Sequence, residues 1–437
     1  MSDCPATLQD LLPLQAAGFA GGRESLHQFV GHAFGPEGPR FLKAEDGSLA
    51  VFRNRDLHAL AIHPAVGAVP PAVLFGPEID PVSRAEPPPG ADLAWVISNQ
   101  VFTANPPIHK PVRKAFAGHL GPKQVREMEP LAREVVADIL DAVQAAVQLD
   151  AATEIAERLA CEFWGRLLDF TAAEIREMEQ YVRDLAPMFF FSRTEADLRR
   201  LISGAAGYRR LITQSVSRSL SAGGNAFINA MSADLACIDL PSDLSRTGMV
   251  PRDVAMMLAG NLVDGFHTSA VAAANTLFVL MHNREAMAAI QSDATLVMPA
   301  IFEALRLEPP VIMLKRWALD DFEYEGLSVP AGAEISMLWG AGAHDPLAFA
   351  DPARFDLNRS RQGSTTFGGG VHLCPGRNAA PMLIRVLLEG MIQRGLELVP
   401  SERPARWIPR HLMCQLESLP ACVVRQSSPT AAAGATA

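Results

Sequence analysis

Apolar residues recur at helical spacing through the middle of the chain, from about residue 122 to residue 300. A repeat of three or four residues is what a helix with one buried face requires. The clearest stripe consists of Leu131, Val135, Val136, Ile139, Leu140 and Val143. The pattern predicts a mainly helical central half, with a further long apolar helix over about 251–282.

Short alternating runs near both ends predict small β-elements beside these helices. Residues 41–52 form two such runs around Asp46-Gly47, a dipeptide typical of tight hairpin turns. After Arg316, extended runs occupy about 322–332 and 334–339, and a helix over about 377–394 precedes a C-terminal hairpin. The whole pattern predicts a fold that is mainly α with small β-sheets.

The distribution of breakers and apolar residues favours one domain. Proline and glycine concentrate in residues 64–107, which predicts an irregular segment with a short helix at most. No repeat or linker divides the rest, so we expect a single domain over 1–426 and a disordered tail over 427–437. No apolar run of about 18 residues and no leader-like N-terminus is present, which predicts a soluble, cytoplasmic protein without membrane insertion.

Charge and cysteine content narrow the possible functions. The formal charge of −10 argues against general binding of nucleic acid, because such binding requires a basic surface. The six cysteines are scattered and include no C-x-x-C pair, so neither a zinc site nor a disulfide framework is indicated.

One cysteine lies in the loop Phe367-Gly-Gly-Gly-Val-His372-Leu-Cys374-Pro-Gly376, which carries the strongest chemical signal in the chain. Consecutive glycines let the backbone come close to a flat partner and turn N–H groups toward a negatively charged sulfur. The pattern predicts a thiolate at Cys374 that can bind iron.

This loop resembles the heme-binding loop of cytochromes P450, Phe-x-x-Gly-x-His/Arg-x-Cys-x-Gly, at every specified position. The resemblance implies that heme b, iron protoporphyrin IX, is the cofactor and that Cys374 is the proximal iron ligand. It also places Phe367 and Gly368 against the heme. Four side chains stand where the family contacts the heme propionates, namely His109, Arg113, Arg316 and His372.

A charge network on the heme side of the core is implied by the same resemblance. Glu303 and Arg306 match the family's Glu-x-x-Arg pair, and Arg354 in the segment 351–355 resembles its meander arginine. An isolated pair at this spacing would more often be a solvated salt bridge. Together with the cysteine loop, the three residues are predicted to form a buried network that braces the core.

The apolar helix over 251–282 resembles the family's oxygen-activation motif at Gly265, Thr268 and Ser269. The resemblance implies that Thr268 guides protons to the distal face of the heme and that Gly265 permits a local opening of the helix. Two positions depart from the motif, because His267 replaces the usual acid and Asp264 replaces a small residue.

Three interpretations of this departure stay open. Asp264, His267 and Thr268 could form one proton relay, since their spacings place them on neighbouring positions of a helix. Asp264 could instead anchor a polar or cationic part of the substrate. In the third interpretation, His267 faces a solvent channel and Asp264 caps a helix kink.

The resemblance implies a soluble bacterial-type monooxygenase that inserts one atom of O2 into a lipophilic or aromatic small molecule. The expected pocket segments, 95–102, 188–191, 311–314 and 412–413, are predominantly apolar, which suits such a substrate. The chain contains no recognisable flavin or ferredoxin module, so a ferredoxin-type donor with its reductase is the expected electron source. Basic residues expected near the proximal face form a candidate dock for it: Lys110, Lys114, Lys123, Arg126, Arg377 and Arg385.

Two other functions stay open. One is a heme-thiolate enzyme with atypical chemistry, such as peroxide-driven oxidation, C–C coupling, desaturation or demethylation. The other belongs to a different class, a non-catalytic heme-binding sensor or carrier. Substrate oxidation by the purified protein separates the enzymes from the carrier.

Overall fold

A computed structural model describes residues 6–35, 38–70, 90–238 and 254–425. The α-helices are α1 (Arg23–Ala33), α2 (Asn54–Ala61), α3 (Ala91–Ser98), α4 (His109–Ala117), α5 (Pro122–Val143), α6 (Arg158–Leu167), α7 (Ala172–Leu185), α8 (Glu195–Ala222), α9 (Ala226–Ala236), α10 (Val254–Met281), α11 (Arg284–Ser292), α12 (Val297–Leu307), α13 (Trp339–Gly342) and α14 (Ala379–Gln393). The strands are β1 (Leu42–Lys43), β2 (Leu49–Val51), β3 (Val66–Gly67), β4 (Gln148–Asp150), β5 (Leu314–Ala318), β6 (Phe322–Tyr324), β7 (Leu327–Val329), β8 (Glu334–Met337), β9 (Leu396–Pro400), β10 (Arg406–Trp407), β11 (Leu416–Ser418) and β12 (Pro420–Arg425). The predicted class, mainly α with small β-sheets, is confirmed.

The predicted N-terminal hairpin is present and belongs to the largest sheet. Strands β1 and β2 pair antiparallel, with Leu42 opposite Ala50. Strand β2 then pairs in parallel with β8, so this sheet has the order β1-β2-β8-β5-β3. A second sheet, β4-β12-β9, contains a strand that the helical pattern of the central half did not predict. Strand β4 has only three residues and is held by antiparallel pairing with β12 near the C-terminus.

Helix α10 is the central element of the core. It is buried on every side along most of its length, as expected of a helix that is apolar all round. The stripe predicted on α5 is also confirmed, since Val135, Ile139 and Leu140 are each at most 1% exposed. These helices fix the position of the residues that face the cysteine loop.

Proline affects two of the predicted segments, the helix over 377–394 and the irregular segment over 64–107. The helix predicted over 377–394 begins at Ala379, and Pro381 lies in its first turn, where a backbone N–H has no acceptor within the helix. Between 64 and 107 the described part contains only short elements, α3 among them. Residues 71–89, the first three residues of the helix predicted over 251–282, and the tail predicted over 427–437 lie outside the described residues. Within the described ranges, no helix has the length and hydropathy needed to cross a bilayer.

Candidate functional site

The cysteine loop is folded back on itself and packed against α2. The N–H of Cys374 donates to the carbonyl oxygen of Phe367 at 3.0 Å, and the N–H of Leu373 donates to Gly370 at 3.2 Å. Gly370 has a φ of 63°, and a Cβ added there would lie 1.9 Å from the carbonyl oxygen of Ala61. The close approach of α2 therefore requires glycine at 370, whether or not a flat partner also lies against the loop.

Cys374 lies deep in the protein but keeps some exposed surface, as expected of a side chain on the wall of an internal cavity. Burial raises the pKa of its thiol to about 11, although the N–H of Gly376 hydrogen-bonds to the sulfur and lowers the pKa. The positive charges of Arg113 and Arg377 also lower it. A cation that binds the sulfur would displace the proton of this thiol, because metals bind the thiolate form of cysteine.

The four predicted propionate contacts come together beside this loop. The rings of His109 and His372 lie 4.4 Å apart between centroids, and Arg113 donates to the carbonyl oxygen of Leu373. Arg316 is 5% exposed and donates to the carbonyl oxygen of Lys315 at 3.0 Å. The cluster joins three separate parts of the chain.

This cluster has an excess of buried donors. Among the described residues no carboxylate pairs with Arg113 or Arg316, and His109 Nε2 and His372 Nδ1 have no hydrogen-bond partner. Burial lowers the pKa of Arg316 to about 10, and burial together with the two arginines lowers the pKa of His109 to about 4. Unpaired buried cations are costly, so the cluster fits a group that brings anions of its own. Heme carries two propionates, and the residues present fit it.

The brace predicted behind the loop is present with one different member. Arg306 and Glu303 form two hydrogen bonds of 2.8 Å, and both side chains are 4% exposed. The second guanidinium on Glu303 belongs to Arg359, whose Nε donates to Oε1 at 2.8 Å. Arg354 is exposed, and only its carbonyl oxygen takes part, accepting from Arg306 and Arg359.

The assignment of Arg354 as the meander arginine is therefore wrong. The chain reverses after 355 so that the N–H of Asp356 donates to Glu303 at 3.1 Å, which places the next arginine, Arg359, over the carboxylate. The sequence signal for Arg359 is the run Phe355-Asp-Leu-Asn-Arg359, which continues directly from the segment 351–355.

Gly265 has a different environment from the predicted one. Helix α10 continues as α-helix through this position, and a Cβ added to Gly265 would lie 3.4 Å from the indole of Trp164. The indole N–H donates to the carbonyl oxygen of Gly265 at 3.1 Å. The glycine therefore packs against α6, and the predicted local opening of the helix is not observed.

The single network predicted for Asp264, His267 and Thr268 is not formed. The hydroxyl of Thr268 donates to the backbone carbonyl of Asp264 at 2.6 Å, the usual bond of a threonine within a helix. His267 is 6% exposed, its Nε2 lies 3.0 Å from Oε1 of Gln415, and its ring stacks on Phe189 at 4.9 Å. Burial lowers the pKa of His267 to about 4, so the imidazole is neutral at pH 7. It faces neither a solvent channel nor the other two side chains.

The carboxyl of Asp264 bonds instead to the segment before α4. Nε2 of Gln100 donates to Oδ2 of Asp264 at 3.0 Å. Burial raises the pKa of Asp264 to about 7, and the bond from Gln100 lowers it. Asp264 also raises the pKa of Cys374 through its charge, so the two side chains are close enough to interact electrostatically. Gln100 lies in the expected pocket segment 95–102, but its bond to Asp264 was not predicted because the two residues are far apart in the chain.

Three of the predicted pocket segments are hydrogen-bonded into one wall. The N–H of Leu412 donates to Phe189 at 2.8 Å, and the N–H of Ile312 donates to Leu412 at 2.8 Å. Val311 forms a bridge with Met413 on the same wall. Phe191 is not part of it, since that side chain is 39% exposed and packs on the N-terminal segment.

Comparison with known proteins is consistent with this geometry. A family model described as cytochrome P450 matches residues 72–409. The cytochrome P450 monooxygenase PikC of Streptomyces venezuelae is 24% identical over 352 residues, which are 80% of this chain and 82% of that protein. The 6-deoxyerythronolide B hydroxylase of Saccharopolyspora erythraea is 24% identical over 303 residues, covering 69% of this chain and 72% of the hydroxylase. The crystal structure of CalO2 superposes with a TM-score of 0.76 at 21% identity, covering 92% of this chain and 96% of CalO2.

Proposed function

The chain belongs to the cytochrome P450 family, whose cofactor is heme b, and on that premise we propose that it inserts one atom of O2 into a lipophilic or aromatic small molecule. The observation that carries the proposal is the arrangement around Cys374. Cys374 lies within electrostatic reach of Asp264 on α10, and among the described residues Arg113 and the buried Arg316 near its loop pair with no carboxylate. This geometry suits a thiolate-bound heme with a closed distal side.

The roles of the chain's own residues follow from their contacts. When bound, heme supplies oxygen activation, and its thiolate ligand favours O–O cleavage. Arg113 and Arg316 would pair with the propionates, while neutral His109 and His372 would donate their ring N–H groups. The hydroxyl of Thr268 donates a hydrogen bond to the carbonyl oxygen of Asp264, and its lone pairs can accept a hydrogen bond from a group beside α10. Apolar packing around it keeps bulk water out.

The proximal surface supports a separate electron donor. Among the described residues no acid is paired with Lys110, Lys114, Arg126 or Arg377, and all four are exposed. Val371 in the cysteine loop is 56% exposed. Arg385 is not available to a donor protein, because Glu129 and Glu389 bind it at 2.5 and 2.8 Å. Exposed basic residues of this kind fit an acidic ferredoxin-type protein.

The reduced carbon monoxide spectrum tests the cofactor and its ligand. The wild type is expected to give the spectrum of a thiolate-ligated heme, and Cys374→Ser is expected to lose it. Cys237→Ser is the matched control, since Cys237 is a free, exposed cysteine. An unchanged spectrum in Cys374→Ser would refute the assignment of the ligand.

Turnover then separates the monooxygenase from its alternatives. Substrate oxidation with ferredoxin, its reductase and NAD(P)H is expected to exceed oxidation with hydrogen peroxide alone. A thiolate-type spectrum without oxidation under either condition would favour a carrier.

For the donor surface, Lys114→Glu and Arg126→Glu are expected to raise the KM for ferredoxin about three- to tenfold at low salt, with kcat unchanged. Arg176→Glu, an exposed arginine on α7, is the control.

A further inference from the structure

Asp264 has hydrogen-bonding capacity that the protein does not use. An ionised carboxylate can accept about four hydrogen bonds, and the carboxyl of Asp264 accepts one, from Gln100 at 3.0 Å. Its other oxygen has no donor among the described residues, and the side chain retains exposed surface although protein surrounds it. That oxygen is therefore open to a hydrogen-bond donor from outside the described residues.

The donors nearest to this carboxyl are committed elsewhere. The hydroxyl of Tyr208, close enough for its pKa to be raised by the charge of Asp264, donates to Ala259 at 2.9 Å. The hydroxyl of Thr268 donates to the backbone of Asp264, not to its carboxyl. The indole of Trp164 donates to Gly265. None of these donors, and no other donor in the described ranges, satisfies the remaining acceptor.

The pair of Gln100 and Asp264 is held in place by its surroundings. Oδ1 of Asn261 accepts the N–H of Val101 at 2.8 Å, and Nδ2 of Asn261 donates to Asn99 at 3.1 Å. These bonds fix the segment 99–101 on α10 and aim the amide of Gln100 at one carboxyl oxygen. The other oxygen is thereby left in a fixed orientation without a donor among the described residues, and a fixed orientation is what a binding site requires.

No cation in the part of the chain that the structure describes forms an ion pair with Asp264. Burial raises the pKa of this carboxyl and the bond from Gln100 lowers it. We propose, on the basis of the function proposed above, that Asp264 binds a protonated amine of the substrate and that the substrates are lipophilic amines. A buried carboxylate in an apolar cavity gains most from a ligand of opposite charge that also donates a hydrogen bond.

A proton relay through Asp264 has less support from the same contacts. Its carboxyl touches neither the hydroxyl of Thr268 nor the ring of His267, whose Nε2 lies beside Gln415 instead. A relay would need a bonded path between these groups. An anchor needs only the free oxygen that is present.

A matched ligand pair tests the anchor. One ligand is a phenylalkyl chain ending in a dimethylamino group, and the other ends in an isopropyl group, which has the same shape without the charge. Each is titrated into the ferric holoprotein while the heme spin state is monitored by absorbance. The variant Asp264→Asn keeps an acceptor for Gln100, and Asp141→Asn removes an equal charge at a side chain that is 61% exposed.

The wild type and Asp141→Asn are expected to bind the amine about 10- to 100-fold more tightly than the isopropyl ligand, the range of one charge-assisted hydrogen bond. In Asp264→Asn this ratio is expected to fall to about threefold or less. A ratio that is unchanged in Asp264→Asn, or an amine spectrum that shows nitrogen bound to the iron, would overturn the inference. If the reduced carbon monoxide spectrum of the wild type lacked thiolate ligation, the proposed function would fail instead, so the two failures are distinguishable.

Discussion

The buried brace around Glu303 makes a quantitative prediction that separates two arginines five residues apart. Arg359 is 10% exposed, and its Nε donates to Oε1 of Glu303 at 2.8 Å. In Arg359→Ala, Glu303 keeps both bonds from Arg306, so its charge stays compensated. The variant loses the charge-assisted hydrogen bond to Glu303 and three bonds to the carbonyl oxygens of Ala350, Asp351 and Arg354. The three carbonyl bonds are exposed and water can replace them, so the expected cost is about 2–3 kcal/mol. Arg354→Ala removes an exposed side chain and is expected to change stability by less than about 0.5 kcal/mol.

Glu303→Ala is expected to destabilise the protein more than Arg359→Ala or Arg354→Ala. Glu303→Ala leaves the guanidiniums of Arg306 and Arg359 buried next to each other, which costs about 3–5 kcal/mol. The expected order of destabilisation is therefore Glu303→Ala, then Arg359→Ala, then Arg354→Ala. A loss of 2–3 kcal/mol corresponds to about a 30- to 150-fold change in the ratio of folded to unfolded protein.

Urea denaturation of the apoprotein measures these differences, with the slope of the transition checked to be unchanged between variants. Heme content after purification provides a second readout, because a loosened brace should lower heme retention. Equal destabilisation by Arg354→Ala and Arg359→Ala would refute the assignment of Arg359 to the network. Destabilisation by Glu303→Ala smaller than that by Arg359→Ala would refute the charge argument itself.

Three further predictions follow from contacts of α10 and of the cation cluster. Gly260→Ala places a Cβ 2.2 Å from the carbonyl oxygen of Asn99, so it should destabilise the protein by about 1–3 kcal/mol in urea denaturation. In Gly265→Ala the added Cβ lies 3.4 Å from the indole of Trp164, so this variant should keep the fold and the reduced carbon monoxide spectrum. Arg316→Met should stabilise the apoprotein by about 1–3 kcal/mol in urea but speed heme transfer to an acceptor apoprotein, because it removes an unpaired buried charge that heme requires; slower transfer would contradict this. His267 has a pKa of about 4 in the folded state and 6.5 in the unfolded state, so between these values the unfolded state binds more protons. The contribution of His267 to stability therefore falls by about 2 kcal/mol from pH 7 to pH 5, and His267→Gln should weaken the measured pH dependence of unfolding by up to one proton.

The local features of this protein were predictable from the sequence. The hairpin at 41–52 and the stripe on α5 depend on turn residues and on the repeat of apolar positions, both of which are visible within a few residues. The cysteine loop and the pair Glu303 and Arg306 are short motifs, so their residues could be named before the structure was known. The donors His109, Arg113, Arg316 and His372 were also named, although only the fold brought them together.

The tertiary structure decided which of these residues meet. Arg359 replaced Arg354 in the brace because the chain reverses at 356, and β4 formed because a strand near the C-terminus pairs with it. The relay expected among Asp264, His267 and Thr268 is absent because each side chain bonds to another group. Asp264 bonds to Gln100 and His267 lies beside Gln415, contacts that helical spacing does not reveal. Hydrogen bonds form only within about 3 Å, and contacts between distant segments at that precision are set by how the helices pack, not by the order of residues along one of them.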